Sequence, residues 1–174
     1  PRDLLYEPGK RSMLKVKHAR TCDCVVAGFR WHKQGDKELV GSLLLGLRDA
    51  HGKLQHVGVT SSFTMAKRRA LVEELAPWRE NALEGHPWAS WAAAEAMDSR
   101  KPGMQSRWSA GKDLTWEPLR PTRVCEVKFD HLEGNRFRHT ATFLRWRDDK
   151  RPEDCGYDQI DVTPALELGE IFGK

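Results

Sequence analysis

The sequence predicts a mainly β domain with helices, in which five strands form an OB-type barrel and a helix separates the third strand from the fourth. Three observations predict it. Three β-rich runs lie between residues 22 and 59 with short turn-forming clusters between them. A helical periodicity follows over 63–75, and two further β-rich runs lie over 123–131 and from Arg136 onward. Three strands, a helix and two strands is the element order of a five-stranded, partly open Greek-key barrel.

The elements are justified in chain order. Residues 1–11 show little periodicity, and Pro8-Gly9 marks a turn. Met13, Leu14, Lys15, Val16 and Lys17 then alternate, so Lys15 and Lys17 share one face of a short strand, about 7 Å apart by strand rise. Two ammonium groups so placed can straddle a phosphate or stand as solvated surface lysines. Residues 22–31, Cys-Asp-Cys-Val-Val-Ala-Gly-Phe-Arg-Trp, are rich in β-formers and read as the first strand. A polar loop centred on Gly35-Asp36 leads into 40–48, where Leu43, Leu44, Leu45 and Leu47 predict a strand buried on both faces. Asp49-Ala50-His51-Gly52 turns the chain into a third strand over 53–59.

Ser61 and Ser62 stand where an N-cap belongs, and Ala66, Ala70, Leu71 and Leu75 recur at helical spacing until Pro77, the expected stop. Lys67, Arg68 and Arg69 crowd the N-terminal half of this helix and Glu73 and Glu74 the C-terminal half, against the helix dipole. A phosphate contact would explain the basic trio, and so would chance. Residues 78–114 set Trp88, Trp91 and Trp108 among Ala, Pro, Gly and charges. With Trp116 these rings could stack bases, but anchoring a long excursion to the core is the better reading. The fourth strand covers 123–131, and Glu133-Gly134-Asn135 turns it into an arginine-rich strand over 136–150. Pro152 breaks that strand, and Thr163-Pro164 opens a short acidic terminal helix, with Pro at N1 behind a Thr cap.

Composition narrows the function. The 174-residue chain is 31% charged with a net charge of +4, and its mean hydropathy of −0.66 fits a soluble globular protein. No apolar run is long enough to span a membrane and no signal peptide opens the chain, so the cytoplasm is the expected compartment. Cys22, Cys24, Cys125 and Cys155 lack the paired spacing of a zinc site or a disulfide framework, and read as reduced thiols packed as small hydrophobes. No protein-built metal site is expected. The charge is focused: residues 1–20 hold six Lys/Arg against two Asp/Glu, and residues 136–151 again six against two. Two such blocks on a nearly neutral chain suggest a localised anion site. The first residue is proline, which reads as a processed end or the start of a fragment.

Tyr6-Glu7-Pro8-Gly9-Lys10-Arg11 followed by Met13-Leu14-Lys15-Val16-Lys17 resembles the end of the nucleotidyltransferase domain of ATP-dependent DNA ligases, including the K-x-K of their motif V. Phe143-Leu144-Arg145-Trp146-Arg147-Asp148-Asp149-Lys150 resembles that family's motif VI, R-x-D-K, at the end of its OB domain. Gly41-Ser42-Leu43-Leu44-Leu45-Gly46 and Arg136-Phe137-Arg138-His139 are also similar to bacterial members, so the likeness covers essentially the whole chain. The resemblance implies residues 1–20 as the end of the adenylation domain and 21–174 as an OB domain with an acidic tail.

It also implies a reaction. In the family a lysine takes AMP from ATP, AMP passes to the 5′-phosphate at a nick, and the 3′-hydroxyl displaces it. Lys15 and Lys17 would then neutralise the α-phosphate region, and Arg147 and Lys150 would hold the departing pyrophosphate, with Asp149 shaping that site. Arg138, Arg145, Lys67 and Arg68 would contact DNA. ATP and Mg²⁺ are the implied cofactors, bound mainly by an N-terminal adenylation domain. The implied partners are nicked duplex DNA and that domain, with a monomer as the expected state. No K-x-D-G occurs in the sequence, so this chain by itself is expected to form no lysyl-AMP. Two readings compete: a self-standing OB module for single-stranded nucleic acid, stacking bases on tryptophans, and a capping-type nucleotidyltransferase fragment. A detached K-x-K strand speaks against the first and the R-x-D-K ending against the second.

Overall fold

The structure, a computed structural model, describes residues 8–9, 20–90 and 115–161. Five strands make the main sheet: β1 (Arg20–Trp31), β2 (Val40–Arg48), β3 (Leu54–Thr60), β4 (Glu117–Phe129) and β7 (Thr142–Trp146). Their order is β3-β2-β1-β4-β7, and every neighbouring pair is antiparallel. β5 (Leu132–Glu133) and β6 (Arg136–Phe137) form a small separate hairpin. Helix α1 (Met65–Arg79) lies between β3 and β4, and a short helix α2 (Asp158–Asp161) ends the described chain. The architecture is mainly β with few helices.

β1 is central because it carries eight consecutive buried positions. The leucine run of β2 is buried throughout, as its continuous apolar pattern requires. The first hairpin turns through left-handed residues at Gly35, Asp36 and Lys37. The second is held by Asp49, whose Oδ1 accepts the backbone N–H groups of His51 at 2.9 Å and Lys53 at 3.0 Å.

The β1–β4 ladder breaks where β4 carries Pro118 and Pro121, which have no N–H to donate; the register jumps from Val26↔Arg123 to Gly28↔Pro118. The Trp116 ring and the Glu117 carbonyl close on Gly28 here: a Cβ would lie 2.6 Å from the ring and 2.9 Å from the carbonyl oxygen. The carbonyls of Ala27 and Leu119 are satisfied from outside the ladder by His86 Nε2, at 2.9 and 3.1 Å, while His86 Nδ1 accepts the Trp88 N–H. That set of partners fixes the neutral Nε2–H tautomer. Burial lowers the pKa of His86 below the usual imidazole value of 6.5.

Trp88 is fully buried and donates its indole N–H to the Leu54 carbonyl at 2.8 Å. Trp116 packs against the same core, so the anchoring role expected of these two rings is observed. Trp91, Trp108 and the expected helix at Thr163-Pro164 lie outside the described residues.

Three expectations need correction. The N-cap of α1 is Thr64, whose hydroxyl accepts the Lys67 N–H at 3.2 Å. Ser61 and Ser62 lie three and two residues before that position, in the connection from β3, where the Ser61 carbonyl accepts from the Arg68 guanidinium and the Phe63 N–H. Pro77 does not stop α1: it sits within the last turn, and its carbonyl accepts from Arg120 at 2.6 Å. The arginine-rich stretch is not one strand. It pairs as β6, leaves the sheet over 138–141, and returns as the five residues of β7. The sheet of the described residues is not closed into a barrel by a continuous ladder. Among the described residues, the edge strands β3 and β7 meet through one parallel bridge, Thr60↔Ala141, in which the Ala141 N–H donates to Val59 O at 2.9 Å.

Candidate functional site

The main-chain ladder carries Arg147 into place. β7 pairs with β4 through Trp146↔Cys125 and Arg145↔Glu126, and one residue later the Arg147 N–H still reaches Val124 O at 2.9 Å. The chain then turns, closed by Lys150 N–H to Arg147 O at 3.2 Å. This turn folds Asp149 back on Arg147.

The Arg147 guanidinium lies between two carboxylates. Its Nε and Nη2 donate to the two oxygens of Asp149, each at 2.9 Å, a bidentate fork. Its Nη1 donates to Asp23 Oδ1 at 3.0 Å and Oδ2 at 3.2 Å. The two carboxylates differ in setting: the Asp149 side chain is 65% exposed and that of Asp23 only 12%. Asp23 is braced in turn by Gln159 of α2, whose Oε1 accepts the Asp23 N–H at 2.9 Å and whose Nε2 donates to the Asp23 carbonyl at 3.2 Å. The bond to Arg147 holds the Asp149 carboxyl down to about 2. Hydrogen bonding to Asp149, then the charges of Asp23, Asp149 and Glu126, raise the Arg147 pKa further above its already high ordinary value. Lys150 is half-buried beside this turn, and its charge bears on Asp154.

Arg147 and Asp149 are therefore brought together and the Lys150 backbone closes their turn, while Arg145, Arg138, Lys67 and Arg68 are engaged elsewhere. Arg145 is 61% exposed and pairs with Glu126 at 2.7 Å. Arg138 is exposed on the connection after β6, with Nη1 3.5 Å from His131 Nε2. Lys67 pairs with Glu74 at 2.8 Å and lies 6.0 Å from the Phe143 ring of β7. Arg68 donates to the carbonyls of Val40, Gly41 and Ser61 at 2.8, 2.5 and 2.6 Å, tying α1 to β2. Lys15 and Lys17 lie outside the described residues.

Sequence reasoning missed Asp23, Gln159 and Arg123. Arg123 is stacked between Trp78 and Trp146, 4.6 and 3.8 Å from their ring centres, and pairs with Glu74 at 3.2 Å. Asp23 did carry a signal: it is a lone carboxylate inside an otherwise apolar central strand, where an unpaired charge is costly.

Other polar concentrations are turned on themselves. A cavity of about 490 Å³ beside the β5–β6 hairpin is lined by Asp49, His56, Asn135, Arg136 and Tyr157, among others. There Arg136 Nη2 donates to His56 Nδ1 at 3.0 Å and the Tyr157 hydroxyl to Asn135 O at 2.8 Å. The four cysteines are free and buried, and burial pushes the Cys155 thiol up to about 12. Among the described residues no group of three or more His, Cys, Asp or Glu is arranged to hold a metal ion, and no helix is long and apolar enough to cross a membrane.

A family model for the ATP dependent DNA ligase C terminal region matches residues 36–150. The chain belongs to that family. Among curated relatives it is 54% identical over 167 residues to DNA ligase C2 of Mycolicibacterium smegmatis, covering 94% of this chain and 46% of that protein. It is 50% identical over 173 residues to DNA ligase C of Mycobacterium tuberculosis, covering 98% of this chain and 47% of that one. The chain thus spans less than half the length of these relatives. The ligase domain of M. tuberculosis LigD superposes with a TM-score of 0.53 at 25% identity, covering 88% of this chain and 44% of that one. A mycobacterial DNA ligase D complexed with ATP and MES gives 0.50 at 27% identity.

Proposed function

We propose that this chain supplies the phosphate-gripping OB domain of an ATP-dependent ligase that seals nicks in duplex DNA. The observation that carries the reading is the turn after β7, in which the Arg147 guanidinium fork is held on Asp149 and closed by the Lys150 backbone, inside the region that matches the family. An OB assignment is supported by the strand order, by α1 following the third strand, and by the single parallel bridge that links the sheet's two edges. Residues 1–20 would be the end of an adenylation domain, with Lys15 and Lys17 beside the α-phosphate, and 21–174 the OB domain with its tail.

The donor set fits a triphosphate. The Nε/Nη2 edge of Arg147 can pair bidentately with phosphate oxygens, and Lys150, three residues on, would add a point charge. ATP would supply the activated AMP group, with Mg²⁺ held mainly by the adenylation domain. Arg147 and Lys150 would bind and orient the departing pyrophosphate, stabilising charge where it builds. Arg138, Arg145 and Lys67 would meet the DNA backbone. Arg68 would act more through the packing of α1 than through DNA.

The test uses a polypeptide that carries both this region and the lysine nucleophile. Arg147→Ala is expected to reduce self-adenylation by about a hundredfold or more while sparing sealing of a pre-adenylated nick. Equal losses in both assays would count against a pyrophosphate role.

A further inference from the structure

We infer that Asp23 is a positioning residue for the phosphate-binding arginine, and that Asp149 is a stand-in anion which phosphate oxygens displace from Arg147. The inference rests on the function proposed above and adds a division of labour between two carboxylates. Both touch the same guanidinium, but on different edges and in different surroundings.

Asp149 occupies the Nε/Nη2 edge with both oxygens at 2.9 Å. A phosphate would place two of its own oxygens there. Asp149 belongs to a solvent-facing turn, and its side chain is 65% exposed. When it leaves, its carboxylate is rehydrated at little cost.

Asp23 is its opposite in each respect. It takes only Nη1, leaving the fork edge to the ligand. It sits on β1, paired there with β4 through Asp23↔Glu126; pairing with β2 begins at Val25. Its backbone is pinned in both directions by the Gln159 amide, so strand and terminal helix together fix the carboxylate. A guanidinium held at one corner by a rigid, mostly buried anion keeps its plane when the other anion departs. Without that corner, the long arginine side chain would have to be ordered by the ligand itself, at an entropic cost.

Charge counting and positioning predict different signs, which makes the inference testable. Asp23→Asn and Asp149→Asn each remove one negative charge beside Arg147. If only charge mattered, both would tighten an anion. The experiment is calorimetric titration of this 174-residue chain with inorganic tripolyphosphate at low ionic strength, alongside thermal melts. Asp149→Asn is expected to tighten tripolyphosphate by about threefold or more, by removing the internal competitor, and Asp23→Asn to weaken it by a similar factor. Tightening in both variants overturns the inference. Arg147→Ala separates the levels: it should lower affinity by about tenfold, and unchanged affinity overturns the phosphate role of Arg147 and this inference with it. Should Asp23→Asn fail to fold, Gln159→Ala takes its place, since it loosens the Asp23 backbone without altering charge. It should weaken tripolyphosphate by about twofold or more, and unchanged or tighter binding overturns the inference.

Discussion

At the scale of single residues, the buried polar groups are where this molecule is most sensitive. Trp88→Phe keeps most of the ring but removes the donor to Leu54 O. The variant should lose about 2–3 kcal/mol, from the unpaired carbonyl and the residual void together, read as a lower urea midpoint at unchanged slope. His56 makes a second prediction. It is buried, its Nδ1 accepts from Arg136, and its Nε2 has no hydrogen-bond partner. Burial, then the charges of Arg136 and Arg30, depress its pKa well below 6.5. The unfolded chain therefore takes the proton first as pH falls. Stability from this group is complete above about 6.5 and is lost on acidification, by up to ~1.4 kcal/mol per pH unit. His86 adds to the same slope. The melting temperature should fall from pH 7 to pH 5, and His56→Gln should flatten that fall. An equally steep profile in the variant would rule His56 out.

At the scale of elements, α1 shows how one basic cluster divides into two roles. Lys67 and Arg68 are adjacent in sequence and indistinguishable by composition. In the fold, Arg68 donates to three carbonyls of β2 and the β3–α1 connection, whereas Lys67 reaches along the helix to Glu74. Arg68→Ala should cost about 2–3 kcal/mol of stability, because it leaves these carbonyls with lost charge-assisted bonds. Lys67→Ala should cost well under about 1 kcal/mol and, if the helix faces DNA, lower the salt slope of duplex binding by roughly one. Urea unfolding and a salt titration of DNA affinity check the pair. Helix existence was legible from Ala66, Ala70, Leu71 and Leu75, but its ends were not. The cap falls on Thr64 rather than on Ser61 or Ser62, and the helix runs on through Pro77, whose carbonyl accepts from Arg120, a residue 43 positions away.

At the scale of the whole molecule, among the described residues the two edges of the sheet meet at a single isolated bridge, with one main-chain hydrogen bond. The Ala141 amide donates across that meeting, whereas amides of the β1–β4 ladder lie within a long paired strand. Hydrogen exchange should therefore find the Ala141 amide less protected than those of Val25 and Val124, reflecting local opening at the β3–β7 edge. Equal protection would mean that the edges open only with global unfolding. β7 leads directly into Arg147, so fraying at this seam would displace the Arg147 guanidinium.

The sequence by itself determined the mainly β class, the first four sheet strands, the helix between the third and the fourth, and the presence of the R-x-D-K motif. These follow from short-range patterns: alternation, an apolar run, turn chemistry and a motif with fixed spacing. Tertiary structure alone decided what each charge is for. Arg147 meets Asp23 across 124 residues of chain, and Gln159 meets the same strand across 136. It also decided that the arginine-rich stretch splits into β6 and β7, because its middle leaves the sheet to bridge β3. Periodicity reports which way a side chain points along its own element. It carries no information about which distant element stands opposite, and the partner opposite decides whether an arginine meets a carboxylate, as Arg147 does, or a carbonyl, as Arg68 does.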